Sequence, residues 1–160
     1  MLGGASAGAN LSAAAALRLV TAGRQGPERL LLVYGTFHAT HPPIPPQLAD
    51  RLRGPLRFVL LTPKWLDGIH LVYTGSREAM AEPFAFPGGH DLTGMPAALV
   101  LDADRDTLRA SGEAFAAELG SAGTKVDYEV VPNSIHGFLN RPRHPSFEAG
   151  AAVMLDWLSS

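Results

Sequence analysis

Short apolar runs alternate along this chain with alanine-rich or amphipathic stretches. Residues 7–22 (AGANLSAAAALRLVTA) are rich in Ala and Leu, contain no Pro and run into Gly23, which suits the left-handed position beyond a helix end. They predict a helix. Residues 29–34 (RLLLVY) form a brief apolar run closed by Gly35, the pattern of a strand buried on both faces of a parallel sheet. Residues 97–102 (AALVLD) and 125–131 (KVDYEVV) read in the same way. Between them, residues 108–119 place Leu108, Phe115 and Leu119 at helical spacing with Gly120 beyond. A last helix over residues 146–158 gathers Phe147, Val153, Met154, Trp157 and Leu158 on one face, with Ser146 as its N-cap after Pro145.

Strands that alternate with helices predict an α/β fold: a parallel sheet with flanking helices and right-handed crossovers. In such sheets ligands bind just beyond the carboxyl ends of the strands. Residues 36–96 interrupt the alternation. This segment, counted to the next strand, holds nine of the thirteen prolines, a density that favours short helices and loops over long regular elements. Long irregular segments in compact domains are commonly lids or binding loops, so residues 36–96 are expected to form a proline-rich cap or loop excursion.

Composition narrows the field. At 160 residues the chain is one domain or part of one, and 46% hydrophobic against 18% charged residues, with mean hydropathy +0.08, suits a packed core. Thirteen Lys and Arg against fifteen Asp and Glu give a net charge of -2, with no basic stripe to draw a nucleic acid. Having no cysteine excludes disulfides, thiolate catalysis and cysteine-ligated zinc. Residues 1–22 lack a basic leader and carry Ser6, Asn10, Ser12 and Arg18 where a signal peptide or membrane span needs unbroken apolarity. The expectation is a cytoplasmic protein without a membrane span.

Gly4-Ala5-Ser6-Ala7-Gly8 fits G-x-S-x-G, in which a sharp strand-to-helix turn exposes the serine Oγ and tolerates only small neighbours. The helix that follows aims its first N–H groups at the same place, so the Ala7 amide can donate to an oxyanion. A serine hydroxyl needs a base, and histidine suits that near neutrality. Of the six histidines, His136 follows the strand ending at Val131 with four residues between, on the edge where Ser6 also lies. His38, His41, His70, His90 and His144 are expected at the surface, although His38 also follows a strand. The base needs a carboxylate, and the loop after residues 97–102 offers three: Asp102, Asp104 and Asp106.

Three blocks, GGASAGANL, DADRDTLRASG and IHGF, together resemble the hormone-sensitive-lipase-like esterases of the α/β-hydrolase fold. The acid block of that family reads roughly D-P-L-R-D, which Asp106-Thr107-Leu108-Arg109 matches with Thr for Pro, departing at Ala110. The resemblance implies a Ser6, Asp106, His136 triad and hydrolysis of a small carboxylic ester through an acyl-enzyme, with no metal or organic cofactor. Asp102 and Asp104 are then expected to end the strand or cap the next helix. It further implies that the chain is the C-terminal part of one α/β-hydrolase domain, with the N-terminal strands missing and a family HGG-type oxyanion segment absent.

Only Met1, Leu2 and Gly3 precede the serine motif, so the strand leading into it is expected to be almost absent. An exposed sheet edge follows from that, and with it a second reading: a truncated, catalytically impaired hydrolase that acts only through self-association as a homo-oligomer. Two other readings fare worse. Asp102, Asp104, Asp106 and Glu113 occupy positions one, three, five and twelve of a calcium loop, but position six is Thr107 instead of glycine. A dinucleotide turn at GGASAG lacks an acidic residue after RLLLVYG. Phe37, Trp65, Tyr73 and Phe138 are candidates for a substrate pocket, with core or cap packing the commoner fate of such aromatics.

Overall fold

The computed structural model describes residues 1–53 and 62–160. Four parallel strands form one sheet in the order of the chain: β1 (Leu2–Ala5), β2 (Arg29–Val33), β3 (Ala97–Arg105) and β4 (Val126–Ile135). Between β1 and β2 runs α1 (Ala7–Thr21). Between β2 and β3 lie α2 (Pro46–Arg51), α3 (Pro63–Thr74) and α4 (Arg77–Met80); α5 (Arg109–Ser121) joins β3 to β4, and α6 (Pro145–Ser159) ends the chain.

The strand ahead of the serine is present. Leu2–Ala5 pairs with Leu30–Val33 residue for residue, because a short strand gains its hydrogen bonds from its neighbour and needs little length of its own. β1 lies at the edge of the sheet and, among the described residues, pairs only with β2.

Alternation along the strands separates two cores. Leu30, Leu32, Ala98 and Val100 face α1 and α5, meeting Ala9, Ala13, Ala16, Leu17, Phe115 and Leu119. The small alanines of α1 let that helix lie close to the sheet. Val33, Leu99, Leu101, Ala103 and Val131 face the other way, against Phe138, Trp157 and the partly buried Val153 and Met154 of α6.

Helix ends fall where backbone geometry dictates. Gly23 takes φ 60 after α1 while the Arg24 N–H reaches the Leu19 carbonyl at 2.9 Å, a Schellman stop. α5 ends in the same way at Gly123 (φ 85) with the Thr124 N–H on Leu119 O at 3.0 Å. Gly120, expected to close that helix, lies inside it. At α6 the N-cap is His144, whose side chain accepts the Ser146 N–H, so Pro145 opens the helix and Ser146 falls inside it.

The segment between β2 and β3 is more helical than its prolines suggested. Pro46 and Pro63 sit in the first turn of α2 and α3, where a missing N–H costs nothing. Thr62 caps α3 by accepting the Trp65 N–H, and Gly75 at φ 80 ends it, giving twelve residues of helix. Pro55 of this segment lies outside the described residues.

Candidate active site

Ser6 occupies the turn between β1 and α1 with φ 55 and ψ -123, a conformation that few non-glycine residues adopt. Two features hold it there. Its N–H donates to Val33 O at 2.8 Å, extending the β1–β2 ladder by one step. Behind it, a Cβ on Gly4 would lie 2.4 Å from the Gly8 carbonyl carbon and oxygen, so the chain can fold back this tightly only without a side chain at position 4. The hydroxyl thereby stands clear of the sheet's carboxyl edge, and Ala7 begins α1 with its N–H among those that a helix leaves without an internal partner.

An irregularity in β4 delivers the histidine. Ala103 pairs with Val131 and Arg105 with Ile135, so β4 places four residues where β3 places two, with Asn133 at φ 55. Asp104 stitches this bulge: its N–H donates to Ser134 Oγ at 3.0 Å and its Oδ2 accepts the Asn133 N–H at 3.0 Å. Arg51 of α2 and Arg109 of α5 pair with the same carboxylate. Burial pushes the Asp104 carboxyl up, but the Arg51 hydrogen bond, the Asn133 amide and the two positive charges outweigh it and hold the group below its ordinary range.

Beyond the bulge, His136 turns back over the strand ends. Ser6 Oγ and His136 Nε2 are 3.0 Å apart, and His136 Nδ1 lies 2.6 Å from Asp106 Oδ2. Asp106 is 2% exposed, and its second oxygen accepts the Leu108 N–H at 3.0 Å. An ionised carboxylate only accepts, so the network assigns the imidazole proton to Nδ1 and leaves Nε2 to receive the Ser6 hydroxyl. Three residues separated by up to 130 positions meet in one run of hydrogen bonds.

The other two acids stay within β3. Asp102 is fully buried with neither oxygen hydrogen-bonded, and a Cβ on Gly112 would lie 2.1 Å from its Oδ2. Burial raises its pKa well above the ordinary 3.8, and the charge of Asp106 raises it further. Neither Asp102 nor Asp104 caps α5, whose N-cap is Leu108. The calcium reading fails on geometry: Asp102 and Asp104 lie in a strand and α5 already begins at Arg109, where a calcium loop would still be coiling around its ion.

Beside Ser6 opens a cavity of about 380 Å³ lined by Ser6, Ala7, Asn10, Leu11, Thr36, Leu66, Ile69, His70, Tyr73, Phe86 and Leu108. Its wall is almost wholly apolar. Leu66, Ile69, His70 and Tyr73 come from α3, so the segment between β2 and β3 supplies one side of the space. Of the aromatics considered from the sequence, Tyr73 lines the cavity, Phe37 and Phe138 are core residues, and Trp65 is 59% exposed.

Two histidines expected at the surface are buried instead. His38 bonds Ser111 Oγ at 2.8 Å and Glu118 Oε1 at 3.1 Å, under Gly88. His70 bonds the Ala39 carbonyl at 3.1 Å and Thr36 Oγ1 at 3.3 Å and packs 4.3 Å from the Phe86 ring. Burial keeps the His70 pKa below the ordinary 6.5. Sequence reasoning missed it because a histidine in a proline-rich segment looks solvated; its only sign is its place on the face of α3 that also carries Leu66.

No described helix is long and apolar enough to cross a membrane. The profile of the alpha/beta hydrolase fold family matches residues 1–140, and the chain belongs to that family. It is similar to two curated proteins of Mycobacterium tuberculosis. One is the carboxylic ester hydrolase LipN of strain ATCC 25618 / H37Rv, at 37% identity over 83 residues, 51% of this chain and 22% of the relative. The other is the carboxylesterase NlhH, at 39% over 54 residues, 34% of this chain and 17% of the relative. Among solved structures, the Pyrobaculum calidifontis esterase superposes with TM-score 0.80 at 28% identity, covering 94% of this chain and 49% of that one. An esterase from the bacterial hormone-sensitive lipase family superposes with TM-score 0.76 at 25% identity, covering 95% and 49%. The chain thus spans about half the length of these structures, and its matched stretches under a quarter of the curated relatives.

Proposed function

We propose that this chain carries the catalytic machinery of a carboxylic-ester hydrolase in which Ser6, His136 and Asp106 act as nucleophile, base and acid. The observation that carries the reading is the run of hydrogen bonds from Ser6 Oγ through the imidazole to Asp106 at the rim of an apolar cavity. Its relatives are named as carboxylesterases and ester hydrolases, which supports the same chemistry.

In the proposed cycle His136 Nε2 takes the hydroxyl proton as Ser6 Oγ attacks the ester carbonyl carbon. Asp106 holds the Nδ1 proton and stabilises the imidazolium. The carbonyl oxygen becomes an oxyanion to which the Ala7 N–H donates, with the positive end of α1 behind it. Collapse breaks the C–O bond, and the departing alkoxide takes the proton back from His136. The acyl group then sits on Ser6. Water, deprotonated by His136, attacks it; collapse releases the carboxylic acid and returns the proton to Ser6. Every proton is accounted for by these side chains and the two substrates, ester and water.

The segment between β2 and β3 acts in this reading as a cap whose α3 residues shelter the substrate's apolar arm. The edge of β1, which among the described residues pairs only with β2, is proposed as a place for self-association beside catalysis; analytical ultracentrifugation over a range of concentrations tests it.

The decisive experiment expresses the chain and measures hydrolysis of a short-chain p-nitrophenyl ester beside Ser6→Ala, with a fluorophosphonate probe reporting on the nucleophile. Turnover and labelling that vanish in Ser6→Ala support the proposal. Equal rates for the two proteins, with no Ser6-dependent labelling, reject it.

A further inference from the structure

Tyr34 stands one residue beyond β2, where its N–H still donates to Leu101 O at 2.8 Å. Its φ is 37, a region that a bulky side chain occupies only where its surroundings hold it. The next residue has no room for a side chain: a Cβ on Gly35 would lie 2.3 Å from the Phe37 ring and 2.9 Å from Ala9 Cβ. The strained backbone sends the Tyr34 ring inward, where it is 3% exposed.

There the ring lies between two others. Its centroid is 5.0 Å from that of His136 with the planes at 65°, and 5.1 Å from that of Phe138 at 76°, both edge-on contacts of the favourable T-shaped kind. Phe138 is fully buried and is itself pressed against α6, since a Cβ on Gly150 would lie 2.3 Å from its ring. A row of packed groups therefore runs from α6 through Phe138 and Tyr34 to the imidazole.

We propose that Tyr34 is a positioning residue for His136, setting the tilt of the imidazole that its two hydrogen bonds leave free. Those bonds hold the ring at Nδ1 and Nε2 and define an axis, about which the plane can still swing. The Tyr34 ring blocks that swing. The need is greatest after acylation, because acylated Ser6 has no hydroxyl proton to share with Nε2, and the imidazole is then held by Asp106 and the Tyr34 contact while it must activate water. The step placed at risk by losing the ring is deacylation.

This inference rests on the esterase reading, and its test separates the two. Tyr34→Leu removes the aromatic ring at similar bulk, and Tyr34→Phe keeps the ring without the hydroxyl. In Tyr34→Leu kcat for a p-nitrophenyl ester should fall on the order of tenfold and KM should fall with it, so that kcat/KM, which reports acylation, and the fluorophosphonate labelling rate change less than about threefold. Tyr34→Phe should stay within about twofold of the parent. Proton NMR provides a readout independent of turnover: the downfield Nδ1–H resonance of His136 should persist in the parent and Tyr34→Phe and broaden or vanish in Tyr34→Leu. A folded Tyr34→Leu that keeps both kcat and this resonance overturns the proposal. Should the parent show no turnover, the esterase reading fails while the resonance still decides for or against Tyr34. Should Tyr34→Leu not fold, Phe138→Leu loosens the other side of the same ring; a weakened resonance there supports the role, and an unchanged one overturns it.

Discussion

Gly4 and Gly8 touch across the serine turn so closely that a Cβ on Gly4 would lie 2.4 Å from the Gly8 carbonyl, whereas a Cβ on Gly8 would meet nothing within 4 Å. Two glycines of one motif thus carry different burdens. Gly4→Ala should cost about 1–3 kcal/mol as the backbone moves apart and should slow labelling of Ser6. Gly8→Ala should be neutral or stabilising by up to about 1 kcal/mol, as alanine is in a helix. Thermal unfolding of both variants checks the contrast.

The three acids of β3 and its loop should separate in activity. Asp106 alone reaches His136, so Asp106→Asn should lower ester turnover by roughly 10³- to 10⁴-fold with the fold intact, because the amide favours the wrong imidazole tautomer. Asp102→Asn should keep turnover within about tenfold, since no bond joins Asp102 to the site. Steady-state rates beside circular dichroism test this ordering.

Asp102 should set a pH dependence of stability. Its folded pKa is raised by burial first and by Asp106 second, so its neutral form belongs to the folded state. The contribution is intact below 3.8 and is lost as pH rises toward the folded value, at roughly 1.4 kcal/mol for each pH unit. Asp102→Asn, neutral throughout, should match the parent near pH 3.5 and gain on it as pH rises. Urea unfolding at several pH values measures the gap; a gap that narrows with rising pH contradicts the assignment.

His70 should act in the opposite direction. Its folded pKa is lowered by burial, so the stability of its neutral form is present above 6.5 and lost as pH falls through the folded value. Protonation places a charge at the apolar cavity wall. Hydrogen exchange of α3 amides should accelerate as pH falls below about 6.5, after correction for intrinsic rates, and His70→Phe should remove that extra acceleration.

Much of the fold was legible because its signals are local. The alanine run of α1, the apolar strands and the G-x-S-x-G turn each depend on residues within a few positions of one another. Helix ends were less legible: Gly120 and Gly123 are both glycines near the end of α5, and only the fit of the last turn decides which of them takes positive φ. The length of β1 was misjudged because pairing with β2, and not its own propensity, makes it a strand.

Within the candidate site, sequence alone determined the chemistry on offer: a serine in a turn that admits only small neighbours, a histidine just past a strand, and three nearby carboxylates. Tertiary structure decided how they divide the work. Asp102, Asp104 and Asp106 alternate along one short stretch, yet one is buried without partners, one stitches the β4 bulge and one meets His136. That division, like the apolar cavity wall formed by α3 and the aromatic row behind His136, depends on which distant segment faces each side chain. A side chain's environment is set by neighbours remote in sequence, and the sum of those contacts exists only once the chain has folded.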